Sequence, residues 1–153
     1  TQSLIMRNTY LRSFPINLCQ YQLSLISADF SQNFINSPIT FNTFNCLRNL
    51  QFLNISNNLI NFIEDSSFDY LTNLRVLDLR NNRLTVIGTD LFYFKLPNLT
   101  HLILRNNQII DLDIWFLFLR NIRYVDISFN QIRRFVNRKN WNPYFISPSS
   151  QLM

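Results

Sequence analysis

The residues able to do chemistry are few and scattered. His101 is the single histidine among 153 residues. A catalytic or metal-binding histidine needs partners at fixed spacing, and no Cys or His cluster accompanies this one. An exposed surface imidazole is the expectation. No Ser-His-Asp arrangement or nucleophile elbow is present. One glycine in the whole chain leaves no phosphate-cradling loop. No catalytic residue, metal ligand or cofactor site is assigned, and an enzyme is not expected. The two cysteines, Cys19 and Cys46, are too few for a disulfide framework and form no C-x-x-C motif. What remains are groups that recognise rather than react: Phe52, Tyr124 and Phe129, the guanidinium groups of Arg75, Arg80, Arg105 and Arg123, and the carboxylates of Asp78 and Asp126. Aromatic residues and arginine dominate the anchors of protein interfaces.

Composition narrows the class. Hydrophobic residues make up 47% and charged residues 15%, which excludes a disordered chain. No apolar run is long enough to cross a membrane: the best candidate, Ile109 to Leu119, is broken by Asp111 and Asp113. The net charge of +5 is local, because Arg133, Arg134, Arg138 and Lys139 supply four of those charges. A solvated end is the expectation for that stretch, so nucleic acid is not expected as a partner.

The elements that must position these groups come from a repeat. Asn8, Asn33, Asn58, Asn82, Asn107 and Asn130 recur at intervals of 25, 25, 24, 25 and 23 residues. Around them the frame LxxLxLxxNxL reads LQFLNISNNLI from Leu50, LRVLDLRNNRL from Leu74 and LTHLILRNNQI from Leu99. From Ile122 it reads IRYVDISFNQI, and from Leu25 the weaker LISADFSQNFI. The first copy is partial, with Ile5, Asn8 and Tyr10 in frame. Alternation within LxL puts every second side chain on one side of a short strand. An asparagine can then turn back onto backbone groups where the strand ends. One unit cannot bury its apolar face alone, whereas stacked units bury a continuous core.

These residues resemble the leucine-rich repeat family, over roughly residues 3 to 135. Phe44, Phe68, Phe92 and Phe116 fall at intervals of 24, which resembles the typical extracellular class of Toll-like receptor ectodomains and variable lymphocyte receptors. The resemblance implies an α/β-type solenoid: a horseshoe segment with a concave parallel sheet, irregular convex loops and little helix. It implies six units over 1–135 and an irregular C-terminal cover and tail over 136–153, with Trp141, Tyr144 and Phe145 in the cover. Neither end carries a cysteine-rich cap, and Thr1 already lies in the first strand, so a truncated chain is expected.

In this frame the exposed concave columns are Gln2, Ser27, Phe52, Val76, His101, Tyr124; then Leu4, Asp29, Asn54, Asp78, Ile103, Asp126; then Met6, Ser31, Ser56, Arg80, Arg105, Ser128. The candidate ligand-binding residues are thus Phe52, Arg75, Asp78, Arg80 and His101, continued by Arg105, Arg123, Tyr124, Asp126 and Phe129. The bland alternative is a solvated sheet in which Asp78–Arg80 and Asp126–Arg123 neutralise one another. Asp78 and Asp126 stand two strands apart, roughly 10 Å, too far for a glycosidase pair. Cys19 stands in the place of an aromatic and Cys46 two residues beyond Phe44. Buried unbonded thiols are the expectation, and a bridge between adjacent coils is the alternative. Asn54-Ile-Ser and Asn98-Leu-Thr match the glycosylation sequon, no more often than so asparagine-rich a chain would by chance.

The resemblance implies recognition of a protein or peptide through the concave face, in a receptor or secreted immune or adhesion protein at the cell surface or outside it, with dimerisation left open. The run NNRLTVIGTDLFYFKLPNLTHLILRNNQI also resembles the spliceosomal A-prime protein. That alternative implies a nuclear or cytoplasmic scaffold holding an RNA-binding partner.

Overall fold

The computed structural model describes residues 2–21, 24–88, 91–92, 95–113 and 119–136. Phe116, Trp141, Tyr144, Phe145 and all but the first residue of the expected C-terminal cover lie outside them, as do Arg138 and Lys139. Six strands of three residues each form one parallel sheet in chain order: β1 (Ser3–Ile5), β2 (Ser27–Asp29), β3 (Phe52–Asn54), β4 (Val76–Asp78), β5 (His101–Ile103) and, outermost, β7 (Tyr124–Asp126). Two further strands, β6 (Asp111–Asp113) and β8 (Arg134–Val136), pair in parallel on the return side of the last coils. Among the described residues, helix is limited to one turn at Phe41–Phe44 and a 3-10 turn at Leu18–Tyr21. The chain is a parallel-strand solenoid.

The frame explains each coil. Ala28, Leu53, Leu77 and Leu102 are the middle residues of their strands, register with one another and are buried. Two residues on, Phe30, Ile55, Leu79 and Leu104 point the same way into the core. The return side is sealed by Phe44, Phe68 and Phe92. All three are fully buried and stack face to face, with centroids 6.3 and 6.2 Å apart and planes within 19°. Phe14 closes the N-terminal end of this column edge-on against Phe30 and Phe44.

Where β2, β3, β4, β5 and β7 end, an asparagine, buried in all but the last, replaces the lost ladder. Nδ2 of Asn58 donates to the Ile55 carbonyl of its own coil and to the Phe30 carbonyl of the coil before, and its Oδ1 accepts the Ile35 amide. Asn33, Asn82, Asn107 and Asn130 repeat the pattern. An amide left unpaired in this core would cost about 1–3 kcal/mol, so each asparagine joins two coils as well as turning its own.

The first coil departs from the sequence frame by one residue. Ser3, Leu4 and Ile5 pair with Ser27, Ala28 and Asp29. The inner-face residues of this coil are therefore Ser3, Ile5 and Arg7, not Gln2, Leu4 and Met6. Leu4 and Met6 pack on the core, while Ile5 is 71% exposed. Asn8 is not in the asparagine ladder. Thr9 holds that place, its Oγ1 donating to the Met6 carbonyl and its amide to Asn33 Oδ1. A period-two strand turns a one-residue slip into an exchange of faces. The slip arose because aligning Asn8 on Asn33 assumes an interval of 25, whereas the register sets Thr9 against Asn33.

The cysteines are bonded, which corrects the expectation of free buried thiols. Cys19 and Cys46 form a disulfide with Cα atoms 5.4 Å apart. It joins the first two coils behind the sheet, beside the phenylalanine column.

Candidate functional site

The inner face gathers part of what the sequence nominated, and mainly at its C-terminal end. Tyr124 and Phe129 are 47% and 67% exposed. The His101 ring lies 5.9 Å from that of Tyr124, and Thr100 Oγ1 lies 2.9 Å from His101 Nδ1. The Arg105 guanidinium lies 4.1 Å above the Phe129 ring, a cation–π contact. Its Nη1 donates to Ser128 Oγ at 2.8 Å, and that hydroxyl donates to Asp126 Oδ1 at 2.6 Å. The Tyr124 hydroxyl reaches Asp126 Oδ2 at 3.4 Å. His101, Arg105, Tyr124, Asp126, Ser128 and Phe129 thus form one cluster across β5, β7 and the turns behind them. Ser128 was not nominated, although it shares a column with Arg80 and Arg105.

Phe52 does not join the cluster. It is 43% exposed on β3, two strands or roughly 10 Å from His101, with Val76 between. Arg75 and Arg123 are exposed on the flank preceding β4 and β7, where the Arg75 carbonyl accepts the Thr100 and His101 amides.

Asp78 is not an open ligand group. It is 7% exposed, its Oδ1 accepts the Arg80 amide, and its Oδ2 pairs with Arg80 Nε at 3.2 Å. Burial pushes its carboxyl above the ordinary aspartate range, and the Arg80 amide and charge offset this only in part. Asp126 goes the other way. Burial works to raise its carboxyl, but hydrogen bonds from the Ser128 hydroxyl and amide, the Arg105 charge and the Tyr124 hydroxyl outweigh it and hold the group below the ordinary range. Its charge is answered by Arg105, not by Arg123.

The column containing these carboxylates has a structural task that sequence reasoning missed. Oδ1 of Asp29, Asn54, Asp78 and Asp126 accepts the amide two residues on, at 2.8, 3.0, 3.1 and 3.0 Å. Each caps its strand end; the signal was the Asx residue four places before the ladder position. A second asparagine row was also legible and unread. Asn73, Asn98 and Asn121, each four residues before the inward strand residue, donate Nδ2 to the carbonyls of Arg48, Thr72 and Pro97 on the coil before. Of the two sequon asparagines, Asn98 is exposed but carries one of these bonds, while Asn54 is half-buried and caps β3.

Among the described residues no group of three or more His, Cys, Asp or Glu side chains is placed to hold a metal. No helix among them is long and apolar enough to cross a membrane. The return-side basic stretch is partly neutralised, since Arg134 makes a two-pronged contact with Asp111 at 2.9 and 2.7 Å.

Known proteins agree with this geometry. TLR13, as found in the TLR13-ssRNA13 complex, superposes with a TM-score of 0.73 at 28% identity over 82% of this chain and 18% of that one. The chain therefore spans less than a fifth of the TLR13 chain. The leucine-rich repeat ectodomain of the receptor kinase SOBIR1 from Arabidopsis thaliana superposes with a TM-score of 0.68 at 21% identity, over 86% of this chain and 71% of that one. The second likeness carries the fold alone. No curated protein matches the chain. The family described as leucine rich repeat matches residues 39–84 and 72–132, more than half of the chain. With the parallel solenoid and its repeated frame, this places the chain in the leucine-rich repeat family, whose fold is a protein-interaction module and whose units here are of the extracellular type.

Proposed function

We propose that this chain is a non-enzymatic recognition module that takes a protein or peptide ligand on its inner face, as part of a receptor or secreted protein outside the cell. One observation carries the reading. Large groups that the fold does not need, His101, Arg105, Tyr124 and Phe129, converge on the exposed side of the C-terminal strands. Aromatic residues and arginine are the types that anchor protein interfaces, where a hot-spot residue costs about 2 kcal/mol or more when truncated. The Cys19–Cys46 bond supports an oxidising compartment and weighs against the intracellular scaffold.

Nucleic acid comes second, although TLR13 forms a complex with ssRNA13. A single strand is held by a run of cations that follows its backbone. The corresponding column here is Arg7, Ser31, Ser56, Arg80, Arg105 and Ser128, with Arg80 already paired to Asp78.

The test is a hydrogen-exchange footprint with a peptide ligand selected from a displayed random library. Protection over 101–106 and 124–129 is expected. Protection confined to the return side, or seen at rising concentration without ligand because copies self-associate there, overturns the reading.

A further inference from the structure

We propose that Phe129 and Arg105 form a pre-set anchor for a carboxylate side chain of the ligand, so that the partner is an acidic peptide segment. The inference rests on the inner-face reading above and names its chemistry.

It begins with backbone. The residue just before each ladder asparagine is left-handed: Gln32, Asn57, Asn81, Asn106 and Phe129, with φ between 54° and 56°. Asparagine tolerates this conformation and a bulky aromatic residue does not. The asparagines also use it, for Asn106 Nδ2 donates to Asn81 Oδ1 at 2.8 Å and Asn81 Nδ2 to Asn57 Oδ1 at 2.7 Å. An asparagine at the last place would extend that row. The chain has Phe129 there instead, with its ring largely in solvent. Tyr10, the other left-handed aromatic among the described residues, stands elsewhere in its coil and stacks on Phe34. Conformational cost accepted for an exposed ring calls for a use.

The use is visible in what the ring holds. The Arg105 guanidinium carbon stands 4.1 Å from its centre, and one end of the group is held by Ser128. Among the described residues no other hydrogen bond engages this guanidinium, so the rest of its donor fork is open. A planar guanidinium already held at one end matches a carboxylate in two-pronged fashion with less loss of entropy than a free one. The surrounding charge has the right sign. Asp78 is set against Arg80 and Asp126 against Arg105, and the exposed Arg75 and Arg123 add positive charge beyond these two pairs. The face therefore presents uncompensated positive charge beside the aromatic pair His101–Tyr124, complementary to Asp or Glu next to an aromatic residue.

Peptides are selected from a displayed random library on the whole chain, then titrated against wild type, Phe129→Asn, Arg105→Gln and Tyr124→Ala, with thermal melting of each protein. The expected peptides are rich in Asp and Glu. Their affinity falls about thirtyfold in Phe129→Asn and in Arg105→Gln, while Phe129→Asn melts a few degrees higher than wild type. Opposite signs for affinity and stability at one residue are not produced by a merely structural role. Neutral or basic peptides, or acidic ones indifferent to Phe129→Asn, overturn the anchor. So does a lower melting temperature in Phe129→Asn, because it removes the conformational premise, and so does single-stranded polyuridylate binding where no peptide is recovered. Peptides lost in Tyr124→Ala but unaffected by the other two variants leave the inner-face reading standing and sink the anchor. Peptides indifferent to all three sink both.

Discussion

At the N-terminal end of the sheet the inner face carries Ser3, Ile5, Arg7 and Ser27, with Ser31 buried, and behind it the first two coils are tied by the Cys19–Cys46 bond. At the other end the same positions carry His101, Tyr124 and Arg105, with Phe129 held in an unfavourable backbone conformation beside them. The hidden architecture changes less between the two ends: inward apolar residues recur on every strand of the sheet, ladder asparagines from the second coil onward, and Asx caps on four of the six strands. What changes is the exposed set. A solenoid adds stability coil by coil, so one end can be stapled and plain while the other carries groups that serve contact at some cost to folding.

The comparison can be broken first at the phenylalanine column. Phe68 is fully buried between Phe44 and Phe92. Phe68→Ala should destabilise the chain by about 4 kcal/mol in a denaturant titration, with ligand affinity of the surviving folded protein unchanged. A loss below about 1 kcal/mol would mean that the column is ornamental and that the stability of the return side comes from elsewhere.

Opening the staple should cost somewhat less. The bonded cysteines are 27 residues apart in sequence, and a loop of that size is worth about 3.5 kcal/mol through the unfolded chain. The double variant Cys19→Ala, Cys46→Ala, or the wild type under reductant, should show that loss in the same titration. Hydrogen exchange should place the loosened amides in the first two coils and leave 101–106 and 124–129 as protected as before. If the C-terminal strands loosened equally, the two ends would be one cooperative unit and the contrast drawn between them would lose its energetic meaning.

The inner face should invert the pattern. Tyr124 is about half exposed and its hydroxyl makes only a long contact with Asp126. Tyr124→Ala should move stability by about 0.5 kcal/mol or less and weaken a selected peptide by about 2 kcal/mol. Calorimetric titration beside thermal melting measures both. A variant that loses stability and keeps affinity would make Tyr124 a packing residue.

Much of this fold was legible because the repeat says the same thing several times. Leu53, Leu77 and Leu102 occupy one frame, and each copy corrects errors in the others. The first coil had no such support. A single asparagine, Asn8, drew the alignment off by one residue, and only the pairing of Ser3 with Ser27 shows that Thr9 holds the ladder place. The cysteine bond was out of reach for a different reason: it depends on how adjacent coils superpose, which spacing within one coil does not contain. The candidate site was legible by column and not by contact. Alternation placed Asp78 on the inner face, but not the burial that removes it from use, and it placed Arg105 without the ring beneath it. Phe129 stood out as an aromatic at a turn, yet its conformational cost appears only from the backbone.

Asp78 offers the smallest effect and the finest test of the division between cap and contact. Its carboxyl is raised chiefly by burial, so the folded chain binds this proton more readily than the unfolded chain does. The group's favourable contribution is therefore complete below the unfolded aspartate value, about pH 3.9, and is lost as pH rises through the higher folded value. At neutral pH the charged form opposes folding in spite of its Arg80 partner. Asn54 does the same capping work in the same column without a charge, its Oδ1 accepting the Ser56 amide at 3.0 Å. Asp78→Asn keeps an equivalent acceptor for the Arg80 amide and removes the buried charge. It should melt slightly above wild type at pH 7, the gain should shrink on acidification, and at pH 3 the two proteins should coincide. It also frees Arg80, so a selected acidic peptide should bind at least as well as before. A variant that melts lower at pH 7 would mean that the Asp78–Arg80 pair outweighs the burial of its charge. Weaker peptide binding would return Asp78 to the list of contact residues and blur the line between the groups that shape this face and those that use it.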